Sequence, residues 1–563
     1  SRLNATFAYA QPEEGGIAFV SQSGALLTAI LDWAVNERVG FSKIVSLGNK
    51  ADITEVDMFR ALRDDADSRV VVAYLEGVTN GAAFREAATA LTKAKPLVIV
   101  KSGGTAAGSR AVSSHTGSLA GSEAAYDAAF KQSGVLRATT MQDLFDISLA
   151  FAYQPLPAGR RLAIVTNAGG PGILATDACE RNGLALANFS AETIEKLRAS
   201  LPRAANVYNP IDVIGDAAAD RYEVSIEAAL ADPNVDALLV LLTPQAMTEI
   251  EKTAEATVRA GRNGVKPVLA CFMGGEAVAP ALRILREGGV PNYTFPERAV
   301  MALVAMNRYR DWKATPVEEI EALPVDREAA ARVLRSVRES GRNSLGDLEA
   351  RGVMEAYGLR LPANKLARAP EEAVEMAREI GYPVVMKIVS PDILHKSDIG
   401  GVRVGVQSDA EVETAYTTIV ANAHRYMPDA KIWGVAVQEM VKPGREVIVG
   451  VTHDPQFGHL IMFGMGGIYV EVLKDVAFRV APLSRSQAEA MIREIRSFPL
   501  LAGVRGQPPA DIAAVVDALL RVSQLVTDFP DIIELDVNPL VVNPVGGGAT
   551  AVDARIILSS EQH

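Results

Sequence analysis

The stretch IAFVSQSGALLTAILDW, residues 17–33, sets a short apolar run against a turn of serines and a glycine, then a run of alanines and leucines. IAFV is too short for a buried helix and reads as a buried strand, while Ser23 and Gly24 mark the start of a helix. The same order recurs downstream at KIVSL (43–47), VVVAYL (70–75) and PLVIV (96–100). Continuous apolar strands alternating with helices predict a doubly wound α/β unit with a parallel sheet. A proline-rich break, YQPLPAGRR (153–161), ends this series, and a second begins with LAIVTN (162–167), ALLVLL (237–242) and PVLACF (267–272). Two similar layered domains in tandem are therefore expected, over residues 1–155 and 156–315.

Residues 315–350 are charged, strand-poor and helix-periodic, and they predict a linker (316–345) with an entry helix whose N-cap lies at Asn343 and Ser344. After it the texture changes. PVVMKIV (383–389), GVRVGV (401–406), GVAVQEMV (434–441) and EVIVGVTHD (446–454) are short β-branched runs separated by turns, as in an antiparallel sheet. A third, α+β module is expected over residues 346–563.

The 563 residues are 49% hydrophobic and 22% charged, with a net charge of −12, an ordinary globular composition. Lys and Arg are scattered, so no basic footprint for nucleic acid or anionic lipid exists and a small-molecule substrate fits better. Two cysteines, Cys179 and Cys271, are too few for a disulfide framework and lack metal-ligand spacing, which points to a reducing cytoplasm. No apolar run reaches the ~18 residues of a membrane span, and SRLNATFAYA at the start has neither the basic nor the apolar region of a signal peptide. It also has no Met, so the native start is expected upstream.

The chemistry gathers in a few motifs. Ser23 and Gly24 open one helix, and VTNAGGPGILATDAC (165–179) repeats the design with Gly169 and Gly170 at the turn. A helix N-terminus presents free N–H groups and a positive dipole end, so two of them converging would hold a phosphate dianion better than one. A lone histidine is ordinarily a surface or capping residue. His115, in AVSSHTGSLAGS (111–122), becomes a candidate phosphoryl acceptor because Glu76, at the end of a buried strand, could pin its second ring nitrogen. The C-terminal module supplies Lys387, the loop SPDILHKSDIGGV (390–402) with His395, then Glu439, Glu446, ELDVNPLVV (534–542) and VDAR (552–555). Singly these are solvated charges or caps; in this order they offer a cation for phosphates and oxygen ligands for magnesium.

Taken together, SQSGALLTAILDW, SLGNKAD, YLEG, SSHTGSLAGS, VTNAGGPG, ILHKSDIGGV and ELDVNPL resemble the NDP-forming acyl-CoA synthetases, most closely the ADP-forming acetyl-CoA synthetase type related to succinyl-CoA synthetase. The resemblance covers nearly the whole chain. It implies two flavodoxin-like CoA-ligase domains and an ATP-grasp module that together join a carboxylic acid to CoA with ATP, releasing ADP and phosphate. It implies that His115 is the phosphohistidine, Glu76 its orienting carboxylate, and Ser23, Gly24, Gly169 and Gly170 the phosphate cradle. His395 matches a second phosphoryl-carrying histidine; Lys387, Glu439 and Glu446 would contact ATP, Asn538 and Asp553 would hold Mg2+, and Asp536 would sit beside the phosphohistidine. Single-chain relatives begin with a Rossmann-type CoA-binding domain, expected here upstream in the native chain or on another chain, and a homodimer is expected. The alternative is a catalytically reduced, ligand-sensing region of an acetyltransferase-type protein. The acid, and ADP against GDP, stay open.

Overall fold

The computed structural model describes residues 12–50, 52–105, 122–262, 264–390, 392–393, 396, 398–466, 473–504 and 506–560. His115 and His395 both lie outside the described residues.

The first sheet contains β1 (Glu14–Ser21), β2 (Phe41–Ser46), β3 (Val70–Leu75), β4 (Leu97–Lys101) and β5 (Leu136–Ala138), in the order β2-β1-β3-β4-β5, all parallel. The second contains β6 (Arg161–Thr166), β7 (Ala185–Leu186), β8 (Ile211–Asp212), β9 (Ala237–Leu242) and β10 (Val268–Phe272); its path is β10-β9-β6-β7, with β8 also on β6. The central strands β3 and β9 are apolar throughout because helices cover both faces, as the unbroken burial of ALLVLL in β9 shows. The two sheets share one hydrophobic cluster. Helix Pro296–Ala314 closes it with Ala299, Val300, Leu303, Met306 and Tyr309, packed against helices Met141–Tyr153 and Gly169–Arg181. Burying a leucine or phenylalanine there contributes about 1.5–3 kcal/mol each, which is why the two α/β layers form a single compact unit.

The chain divides into two such units, the second comprising Val317–His563 together with Ala124–Ala129. Its smaller sheet joins β11 (Asn364–Ala367), β12 (Val384–Val389), β13 (Val402–Val406) and β14 (Gly434–Glu439) in the antiparallel order β11-β14-β12-β13. Its larger sheet joins β15 (Arg445–Asp454), β16 (Gly458–Met465), β17 (Val476–Val480), β18 (Ile532–Val542), β19 (Ala549–Ala551) and β20 (Ala554–Leu558), also antiparallel. The fold is thus α/β with two flavodoxin-like parallel sheets followed by an ATP-grasp-like antiparallel region.

One local expectation fails. The helix after the connecting segment is Asp347–Ala356, and its N-cap is Gly346, not Asn343 or Ser344. The Glu349 carboxylate turns back to accept the Gly346 N–H at 2.6 Å, and the Arg342 guanidinium holds that carboxylate with bonds of 2.9 and 2.6 Å. Asn343 and Ser344 instead run beside β20: the Asn343 carbonyl accepts from Leu558 N–H at 2.7 Å, and Ser344 bridges Ile557. Sheet pairing claimed the backbone that the cap reading needed. The segment before it, whose sequence has helical periodicity, forms helix Arg327–Glu339, which buries Ala330, Leu334 and Val337 in the core of the second unit. Among the described residues no helix is long and apolar enough to cross a membrane.

Candidate functional site

Doubly wound sheets carry their chemistry at the carboxyl ends of the strands, and here the two halves build those ends alike. In the first, the Ser21 hydroxyl donates to the Ser23 carbonyl at 2.8 Å and accepts the Ser23 N–H at 3.1 Å. In the second, the Thr166 hydroxyl does the same to Ala168, at 2.8 and 3.1 Å. Each brace bends the chain sharply from strand into helix. Between brace and helix stands a carboxamide. Gln22 Oε1 accepts the N–H groups of Glu76 (2.7 Å) and Gly77 (3.1 Å), and its Nε2 donates to the Gly77 carbonyl at 2.9 Å. Asn167 Oδ1 accepts the Thr243 N–H at 2.9 Å and its Nδ2 donates to the Thr243 carbonyl at 2.9 Å. In both halves the amide clamps the residue that follows the neighbouring strand, β3 or β9.

The consequence for Glu76 is direct. Its backbone is fixed through Gln22, and Gln22 is fixed in turn: its Nε2 also donates to Glu55 Oε2 at 3.3 Å, and Lys50 Nζ bonds both Glu55 Oε2 (3.2 Å) and the Gly77 carbonyl (2.8 Å). Glu55 is fully buried, so the Lys50 ammonium and the Gln22 amide supply the partners a buried carboxylate requires. Nothing in the spacing of Gln22, Lys50 and Glu55 announced this support. Glu76 itself is half-buried at the strand end.

The two helix starts differ in their mouths. Helix Gly24–Glu37 is capped by Ser23, whose hydroxyl accepts the Leu26 N–H at 3.3 Å. Helix Gly169–Arg181 has Ala168 at its N-cap and no side-chain cap bond, so its first N–H groups stay available. Gly24, Gly169 and Gly170 are exposed, and a methyl group added at Gly170 would meet nothing within 4 Å. At Gly169 the nearest atom to such a group is an Asp212 carboxylate oxygen at 3.8 Å, whereas at Gly24 it is the Ser46 hydroxyl at 3.6 Å.

In the second unit a cavity of about 560 Å³ is lined by Ser390, Lys396, Trp433, Asp536, Asn538, Asp553 and Arg555. Asp536 projects from β18 opposite Arg555 of β20, and the Asn538 N–H donates to the Asp553 carbonyl at 3.2 Å, which brings three sequence-predicted residues to one wall. Burial pushes the Asp536 carboxyl up to about 6, Glu534 and Asp553 adding to the rise and Arg555 opposing it. Crowded carboxylates of this kind are stabilised by a cation. Two carboxylates and an amide oxygen are hard donors that fit magnesium, which needs one or two carboxylates and completes its shell with water and phosphate oxygens. Sequence reasoning missed Trp433; the Lys396 ammonium, from the loop ILHKSDIGGV, lies 3.8 Å from Asp347. Lys387, buried in β12, Glu439 and Glu446 do not line this cavity. Glu439 lies at the end of β14, its carboxylate accepting the Ala363 N–H at 3.1 Å, beside a second cavity of about 440 Å³ with Arg360, Lys442 and Asn543. Glu446 is exposed on β15, its carbonyl accepting the Gly466 N–H at 2.8 Å.

Comparison with known proteins agrees with this architecture. Residues 14–151 match a succinyl-CoA ligase like flavodoxin domain, 162–317 a Ligase-CoA domain, and 336–558 an ATP-grasp domain. The chain is 48% identical over 560 residues to acetate–CoA ligase (ADP-forming) I of Archaeoglobus fulgidus, covering 99% of this chain and 80% of that one. It is 43% identical over 556 residues to the 4-hydroxybutyrate–CoA ligase (ADP-forming) of Nitrosopumilus maritimus, covering 98% of this chain and 80% of the relative. Among solved structures it is similar to the dinucleotide-forming acetyl-coenzyme A synthetase 1 of Candidatus Korarchaeum cryptofilum in complex with phosphate and ADP. That match has 40% identity and a TM-score of 0.54, covering 56% of this chain and 68% of the other.

Proposed function

The chain belongs to the ADP-forming acyl-CoA synthetases and is an acid–thiol ligase, and from that premise we propose how its residues divide the reaction. ATP phosphorylates a ring nitrogen of His115, directly or by way of His395. The phosphoryl group then passes to the carboxylate of the acid, breaking the N–P bond and forming an O–P bond. The CoA thiolate attacks the acyl carbon and expels phosphate. Dividing one condensation into displacements lets positioned groups neutralise charge at each step.

Glu76 accepts a hydrogen bond from the second ring nitrogen and holds the imidazole for in-line transfer. Ser23 and Gly24, with Gly169 and Gly170, give backbone N–H groups to the phosphoryl oxygens. In the second unit Lys387, Glu439 and Glu446 contact ATP, and Asp536 faces the visiting histidine. Asn538 and Asp553 hold Mg2+, which when bound neutralises the charge of the nucleotide's phosphates. The substrates are small molecules; a homodimer in a reducing cytoplasm completes the reading, in which Cys179 and Cys271 are structural, both free and buried.

The observation that carries this proposal is the Gln22 clamp: it makes Glu76 and the Ser23–Gly24 helix start one rigid corner, 2.7 Å from amide oxygen to Glu76 nitrogen. Incubation with γ-labelled ATP and magnesium tests it. Acid-labile, base-stable label is expected on the wild type and lost in His115→Ala. Label retained in full by His115→Ala but absent from His395→Ala would make His395 the first acceptor, and no label on the wild type would overturn the phosphohistidine reading.

A further inference from the structure

The carboxamide clamps of the two α/β halves are held by different chemistry. In the second half Asn167 is secured by neutral groups: its Oδ1 accepts the Thr243 hydroxyl at 3.0 Å and its Nδ2 donates to the Thr248 hydroxyl at 3.4 Å. In the first half the matching partner of Gln22 is a carboxylate, that of Glu55, which opens helix Glu55–Arg63, is 1% exposed and is joined to the Lys50 ammonium. The repeat shows that the strand-to-helix corner folds without a buried ion pair. Such a pair contributes little net stability, because the desolvation of both charges offsets their attraction.

What the pair does hold is the backbone beside Glu76. The Gly77 carbonyl accepts both the Lys50 ammonium at 2.8 Å and the Gln22 amide at 2.9 Å, while Gln22 Oε1 accepts the Glu76 and Gly77 N–H groups at 2.7 and 3.1 Å. Glu55 ties the two donors together, its Oε2 accepting Gln22 Nε2 at 3.3 Å and Lys50 Nζ at 3.2 Å. Lys50 reaches them from a strained backbone, with φ at +56° in the left-handed region that side chains disfavour. Strain of this kind persists where the surroundings over-determine it, and it collects at functional sites.

We propose that Lys50 and Glu55 are positioning residues for Glu76: the buried pair restrains the strand end so that the Glu76 carboxylate meets the histidine ring in the geometry of phosphoryl transfer. This rests on the phosphohistidine reading for its consequence in the reaction but not for the restraint itself. Removing one partner leaves the other buried and unpaired, which destabilises the fold. Replacing both by apolar side chains of similar size removes the charge penalty together with the restraint, so the double replacement separates stability from positioning.

The test uses the whole chain as wild type, Lys50→Met, Lys50→Arg and the double variant Lys50→Met with Glu55→Leu. Thermal denaturation gives Tm, and hydrogen exchange gives the protection of the Glu76 and Gly77 amides. Each protein is also labelled from γ-labelled ATP with magnesium, then mixed with acetate and hydroxylamine to trap acetyl phosphate as the hydroxamate. Lys50→Met is expected to lower Tm and the double variant to regain it. Both are expected to exchange the Glu76 and Gly77 amides about tenfold faster, with the Thr243 amide unchanged. Both are expected to take up label and to discharge it about tenfold more slowly at saturating acetate, with the acetate concentration for half-maximal discharge unaltered and Lys50→Arg recovering most of the rate. Wild-type exchange and discharge in the double variant would overturn the proposal. So would losses in that variant that follow a lowered Tm, which mark a structural pair. Absence of label on the wild type overturns the histidine reading and leaves exchange at Glu76 and Gly77 to decide the pair.

Discussion

The two α/β halves share a strand-to-helix device and differ in what they mount on it. Each has a hydroxyl brace at the end of the central strand, Ser21 or Thr166, and a carboxamide, Gln22 or Asn167, clamping the end of the neighbouring strand. On that shared frame the first half carries Glu76 and Lys101 where the second carries Thr243 and Phe272. What is common to both halves is what the fold demands, and what differs is the side chains each half presents at its strand ends. The difference extends to the helix mouths, where the first has a serine cap and a neighbouring hydroxyl and the second has an uncapped start with the Asp212 carboxylate nearby.

The largest expected effect separates Glu76 from Thr243. Glu76→Gln is expected to lower acyl-CoA synthesis ~100-fold or more with little change in Tm, since a misoriented imidazole no longer accepts or delivers the phosphoryl group. Thr243→Val loses the 3.0 Å hydroxyl bond to Asn167 and costs about 1 kcal/mol of stability, with turnover unchanged. Steady-state assays paired with thermal denaturation check both, and equal turnover losses at the two positions would break the comparison.

The clamps give the next test. Gln22→Ala and Asn167→Ala each remove a buried carboxamide from half-buried backbone groups at a strand end and are expected to cost about 1–3 kcal/mol in urea denaturation. Only Gln22→Ala frees the backbone of Glu76, so only it is expected to slow discharge of the labelled phosphoenzyme beyond what its stability loss explains. Smallest is the exchange of caps. Ser23→Ala should lose about 1 kcal/mol, and Ala168→Ser should gain a comparable amount by supplying the hydroxyl that the second helix lacks. Tm measurements on both variants would sharpen the contrast, and a null result for Ala168→Ser would mean that its first N–H groups are already satisfied.

Much of this frame is legible in the chain because its signals are local. Apolar runs such as VVVAYL and ALLVLL become strands where expected, and SQSG and NAGG become helix starts, because strand burial and helix capping act over a few residues. Asn343 and Ser344 fail as a cap because a distant strand, β20, competes for the same backbone. In the second unit Asp536, Asn538 and Asp553 meet on one cavity wall because β18 and β20 pair, but Trp433, on the same wall, carries no motif.

By itself, then, the sequence determined the strand and helix segments, the two repeated α/β layers and the residue types able to move a phosphoryl group, since those depend on local backbone preference and side-chain chemistry. The tertiary structure alone decided that Gln22 holds Glu76 across 54 residues of chain and that Lys101 stands where the other half places Phe272. Strand register sets both relations, and register follows from which apolar faces pack together, a long-range choice that no short window contains.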